Sequence, residues 1–193
     1  MNAIIKPANP QGKGLVSVLD SLQQAKQRLN APAKTIEQIS GELFTSLFVL
    51  NAQIRFKPVI QQTYWLYCKN RRYQLSLIAP QQWSNAQSGR FIGACELQSD
   101  LTWTLALSED CAADAEFLRE IAERRLRLQQ QLQQAAKIED VLPVYVPGLP
   151  FHARVLAAAL ACSLQQSMHK GGIAGLSFEQ AQRGLPTGLP TLD

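Results

Sequence analysis

Charge is sparse in this chain, at 18% of 193 residues, and the formal net charge is only +4. With 46% apolar residues beside so little charge, the chain has enough surface to bury a core and too little self-repulsion to stay unfolded. The small excess of cations permits a nucleic-acid partner without implying one. Histidine is scarcer still: His152 and His169 have sixteen residues between them, a spacing that no metal site uses within one helix. Cys68, Cys95, Cys111 and Cys162 form no C-x-x-C pair, so zinc and redox motifs are excluded and buried free thiols are expected. No phosphate-cradling glycine loop is present, since Gly12-Lys13-Gly14 lacks both a preceding strand and a Lys-Ser/Thr ending. No metal or cofactor is therefore expected. No apolar run approaches the ~20 residues of a membrane helix, and residues 1–10 lack a secretory core, so the expected location is the cytoplasm.

What is present is hydrophobic periodicity. Residues 1–14 contain Pro7, Pro10, Gly12 and Gly14 and read as an arm. Leu15, Val18, Leu19, Leu22, Ala25 and Leu29 recur at helical steps and predict an amphipathic helix ending near Asn30. After Pro32, Thr35 and Gln38 have the spacing of a capping box. The helix they open should run to about Lys57, with Ile36, Ile39, Leu43, Leu47, Leu50 and Ile54 on its apolar face, and should pair with the first as a hairpin. Thr63–Cys68 and Tyr73–Ile78 are rich in aromatic and branched residues and predict a β-hairpin turning at residues 69–72. Two further extended runs, around Phe91 to Leu97 and Leu101 to Leu105 with a turn at Ser99-Asp100, complete an antiparallel meander of three or four strands, so that 15–107 form one hairpin-plus-sheet unit.

Ser108 then caps a long helix expected over 108–140. Its seam of Leu118, Ile121, Arg125, Leu128, Leu132 and Ala135 steps like a heptad and suggests a coiled coil and self-association through 110–138. The pairs Glu120–Arg124 and Glu123–Arg127 would each contribute only ~0.2–0.5 kcal/mol on a solvated face. Residues 141–150 form a Pro/Gly linker, 151–172 a C-terminal helix rich in alanine, and 173–193 an extended tail. The fold class is α+β.

The string Tyr64-Trp-Leu-Tyr67, Tyr73-Gln-Leu-Ser-Leu-Ile-Ala-Pro80, Trp83, Phe91-Ile-Gly93-Ala94, Leu97 and Asp100-Leu-Thr-Trp103 resembles an uncharacterised family, domain of unknown function 2452, which occurs in bacteria and in eukaryotes including a small human protein. The resemblance covers about residues 60–107. It implies an α+β unit with helices before the aromatic strands, and it supplies no activity. Past residue 108 the chain departs from the human relative, which marks the remainder as particular to a bacterial branch.

No catalytic residue is singled out, because neither Cys68, Cys95 nor Ser76 has a base and an orienting group in a local motif. The binding candidates are Tyr64, Trp65, Tyr67, Trp83 and Trp103 with Arg71, Arg72 and Arg90, because rings set among cations suit single-stranded nucleic acid. The same rings would equally serve to bury the sheet. Asp100 is a turn residue or a pocket carboxylate. Adjacent Tyr64 and Trp65 must point to opposite faces, so the second face of the sheet is where a site is sought. Three readings follow: a noncatalytic adaptor or assembly protein with helical and aromatic contact surfaces, an RNA- or ribosome-associated protein, and an enzyme with a pocket between sheet and helices.

Overall fold

The computed structural model describes residues 31–183 apart from 84–87, 145, 147 and 150, and for 151 and 152 the backbone only. The expected arm, the helix at Leu15–Asn30 and the end of the tail lie outside the described residues. Helix α1 spans Ile36–Leu50 and opens on the expected capping box: the Gln38 amide donates to Thr35 Oγ1 at 3.4 Å and the Thr35 amide to Gln38 Oε1 at 2.9 Å. It ends well short of Lys57. The Asn51 side chain donates to the Leu47 carbonyl, and two residues later Gln53 becomes a strap on the sheet, accepting from Leu75 at 3.0 Å and donating to the Tyr73 carbonyl at 2.9 Å. Those sheet bonds replace the helical ones, so local periodicity loses to tertiary pairing.

Strands β1 (Thr63–Lys69), β2 (Arg72–Ser76), β3 (Arg90–Leu97) and β4 (Trp103–Leu107) are all antiparallel, as expected. Their order is β2-β1-β3-β4 and not the sequential order of a meander. The connection after β2 crosses to the far side of β1, and Leu66 opposes Gly93 while Tyr67 opposes Phe91, leaving Ile92 as a bulge. Gly93 permits the close approach of β4, because a Cβ there would stand 2.2 Å from the Ala106 carbonyl oxygen.

One sheet face holds Tyr64, Leu66, Leu75, Ile92, Cys95, Leu97 and Trp103, which join Ile36, Ile39, Leu43, Leu160 and Leu164 in a common core. Helix α1 packs against β4 and against α4 (Phe151–Lys170). The long helix is broken in two. Ser108 caps only α2 (Glu109–Ala112), and Asp114 caps α3 (Ala115–Gln134), its Oδ1 accepting from Glu116 and Phe117 amides at 3.0 Å each. A 3-10 turn at Ile138–Val141 follows. The tail is not wholly extended, because Phe178–Arg183 forms α5. There Ser177 and Gln180 make a reciprocal cap like that of Thr35 and Gln38, and Phe178 and Ala181 are buried.

A buried ion cluster joins these parts. The ammonium of Lys34 donates to both Glu42 on α1 and Asp100 in the β3–β4 turn, and the Ser163 hydroxyl of α4 donates to the Asp100 carbonyl. Asp100 is therefore a turn residue, its Oδ1 accepting from the Thr102 amide at 3.2 Å and hydroxyl at 2.7 Å, and also the acceptor that neutralises a buried lysine. Burial pushes its carboxyl upward, but Lys34 and the two Thr102 bonds outweigh that and hold it below the ordinary 3.8.

Replacing Lys34 by Met strands the Asp100 carboxylate, and denaturant titration at neutral pH should show a loss of about 3 kcal/mol. Because the folded Asp100 carboxyl is depressed, its contribution is present above 3.8 and fades as pH falls through the folded value. The stability gap between the wild type and Asp100→Asn should accordingly be widest at neutral pH and close in acid; a gap that does not change with pH would contradict this.

Candidate functional site

The sequence candidates separate into three places. Tyr64 and Trp103 lie inside the core face at 1% and 2% exposure, their ring centroids 6.0 Å apart, so neither can stack on a ligand. Tyr67 and Trp65 are on the second face, and that face is covered along its β1–β2 half by the crossing segment. Trp83 sits edge-on to Tyr67 at 5.4 Å, Phe91 at 5.5 Å, and the Tyr67 hydroxyl donates to the Ile78 carbonyl at 2.9 Å. Trp65 remains half-buried at its margin, beside Ser76 and Ala94. Asp100 belongs to the ion cluster.

The arginines define the third place. Lys69 pairs with Arg72 across a two-residue loop in which Asn70 and Arg71 have φ of 52° and 59°. Both therefore adopt the left-handed conformation that a tight right-twisted hairpin requires. Asparagine tolerates it readily, whereas for arginine it is uncommon and costs roughly 1–2 kcal/mol. Opposite this turn stands α3, and between them is a cleft of about 670 Å³ lined among others by Cys68, Arg71, Tyr73, Arg90, Arg119 and Arg124. Arg72 faces the adjoining hollow with Gln53 and Gln74.

Two of the cleft arginines are paired with carboxylates. Arg90 donates to Asp114 at 2.7 Å and to the Asp110 carbonyl at 3.3 Å, with its guanidinium 5.5 Å from the Phe117 ring centroid. The α3 amides, Phe117 first, and Arg90 hold the Asp114 carboxyl below its ordinary value. Arg124 donates to Glu120 at 2.6 Å and lies 5.8 Å from both Tyr73 and Phe48. Arg71 and Arg119 carry no ion pair among the described residues. Cys68 at the cleft wall is raised above its ordinary value by burial, which keeps it a thiol and a poor nucleophile. Cys95, in the core, is pushed up to about 12. Cys111 is buried as well, and Cys162 departs from the expectation of buried thiols by lying exposed on α4.

Of the heptad seam, Leu128 and Leu132 are buried in the chain's own core and Arg125 covers the Phe44 ring at 5.1 Å. Leu118 and Leu126 are left exposed. Sequence reasoning thus found Arg71 and Arg90 but missed Arg119 and Arg124 as their neighbours. A signal was available for half of the cleft: between Glu42 and Glu96 there is no acidic residue, while Arg55, Lys57, Lys69, Arg71, Arg72 and Arg90 all stand there. The α3 half carries no such mark, because its arginines alternate with glutamates. No helix of the described residues is long and apolar enough to cross a membrane.

No curated protein and no solved structure matches the chain. Residues 49–122, which include the whole sheet, α2, and the Asp114 cap and opening turns of α3, match the model of the family described as Protein of unknown function (DUF2452), the family that the aromatic strands resemble.

Proposed function

We propose that this protein is a noncatalytic adaptor that holds another macromolecule against the surface formed by the β1–β2 turn and α3. The observation that carries the reading is the cleft itself, where Arg71 and Arg119, on opposite walls, have no counter-ion among the described residues. A solvated cation without an internal partner is free to exchange water for an anionic group of a ligand. Arg90, Arg124 and Glu123 are engaged in ion pairs with Asp114, Glu120 and Arg127, and burial raises the Cys68 thiol at the cleft wall, which favours binding over chemistry. The acid-free stretch from residue 43 to 95 supports an anionic partner, and on that ground nucleic acid is the second reading. Against it, Tyr64, Tyr67 and Trp103 are buried and Trp83 lies edge-on against Tyr67.

The test is affinity capture of the tagged protein from its host's lysate, divided into nuclease-treated and untreated halves. The adaptor reading expects a defined protein retained after nuclease and depleted when Arg71 and Arg119 are both reversed to glutamate. Capture of RNA-bound proteins that vanish with nuclease would replace it with the nucleic-acid reading.

A further inference from the structure

Resting on the adaptor reading, we infer that the cleft between the β1–β2 turn and α3 receives an acidic peptide segment of the partner, its carboxylates taken by Arg71 and Arg119. The first support is a local cost without a local return. Arg71 sits at φ 59° in a two-residue turn, where glycine would be relaxed and would satisfy the hairpin equally well. A side chain kept in a disfavoured backbone conformation, exposed and unpaired, is an outlier of the kind found at binding sites. The turn is also firmly seated, because Gln53 bonds to both Tyr73 and Leu75 on β2 behind it.

The second support distinguishes a peptide from a nucleic acid. Glu116, Glu120 and Glu123 line the same cleft as the arginines. A phosphodiester backbone laid along this groove would bring successive negative charges past all three, which is repulsive at close range. A peptide has carboxylates only where its sequence puts them, and a basic residue next to them would complement Glu116, which has no ion pair among the described residues. Base recognition needs open ring faces. Within the cleft, Phe117 is buried, and Tyr73 has Arg124 against its ring and Phe48 edge-on at 5.0 Å. Arg90 and Arg124, already paired with Asp114 and Glu120, line the walls, and Arg71 and Arg119 are the grips.

The experiment titrates the full chain with a serine-alanine peptide that carries two glutamates and one lysine and, separately, with an oligouridylate of the same length, following the amide NMR spectrum. The peptide should shift the Asn70, Arg71 and Arg119 signals and the uridylate should not. Arg71→Gly should melt no lower than the wild type yet bind the peptide more weakly, and combined with Arg119→Ala should weaken it at least about tenfold. Stronger shifts with the uridylate would assign the groove to nucleic acid. Absence of shifts with either probe, or peptide binding unchanged in the double variant, would overturn the groove. If the captured partner survives nuclease and is lost on reversal of Arg71 and Arg119 to glutamate while the acidic peptide shifts no signal, the adaptor reading stands and only the acidic segment falls.

Discussion

The ammonium of Lys34 lies between the carboxylates of Glu42 and Asp100 with 6% of its side chain exposed, and the elements around it depend on that arrangement. A buried lysine is tolerated only when its charge is answered, so the segment before α1, the helix itself and the β3–β4 turn must keep their mutual positions. Helix α4 closes on the same point. Ser163 donates to the Asp100 carbonyl, Lys170 donates to the Ala31 carbonyl at 2.8 Å, and Gly171 lies so near the Lys34 backbone that a Cβ would stand 2.6 Å from its carbonyl oxygen. Non-directional burial would hold α1 and α4 together in many registers; these directional bonds select one.

With that junction set, the sheet's two faces acquire different work. The face toward α1 and α4 takes Tyr64 and Trp103 into the core. The opposite face is closed along β1 and β2 by the segment that crosses from β2 to β3, with Trp83 and the Ile78 carbonyl both on Tyr67. The unexpected strand order is thus what covers Tyr67, since a sequential meander would have no segment crossing β1 at all. Aromatic residues clustered in sequence serve separate packing jobs: Tyr64, Tyr67 and Trp103 are buried, and Trp83 lies against Tyr67.

The polar site arises where the sheet meets α3. The break at Asp114 is decisive for it: the residue that caps α3 also binds Arg90 of β3, so one carboxylate sets both the start of the helix and the orientation of an arginine in the cleft. Had α2 and α3 run on as one helix from Ser108, the Asp114 amide would have been internal and its side chain would not have been committed to capping. Glu120–Arg124, modest as a helix-surface pair, gains a second purpose, because it aims a guanidinium at Tyr73 and Phe48.

The amino-acid sequence by itself determined the α+β class, an antiparallel sheet of three or four strands, the Thr35–Gln38 start of α1 and the C-terminal helix, because capping boxes, alternation and apolar periodicity are interactions between near neighbours. The cation content of the hairpin was legible too. The tertiary structure alone decided that α1 stops at Leu50, that the sheet is ordered β2-β1-β3-β4, that Leu128 and Leu132 face the chain's own core, and that Arg71 meets Arg119 across a cleft. Each of these depends on groups distant in the chain competing for the same backbone bonds or the same apolar surface, and such a competition leaves no periodic trace in the residues that take part in it.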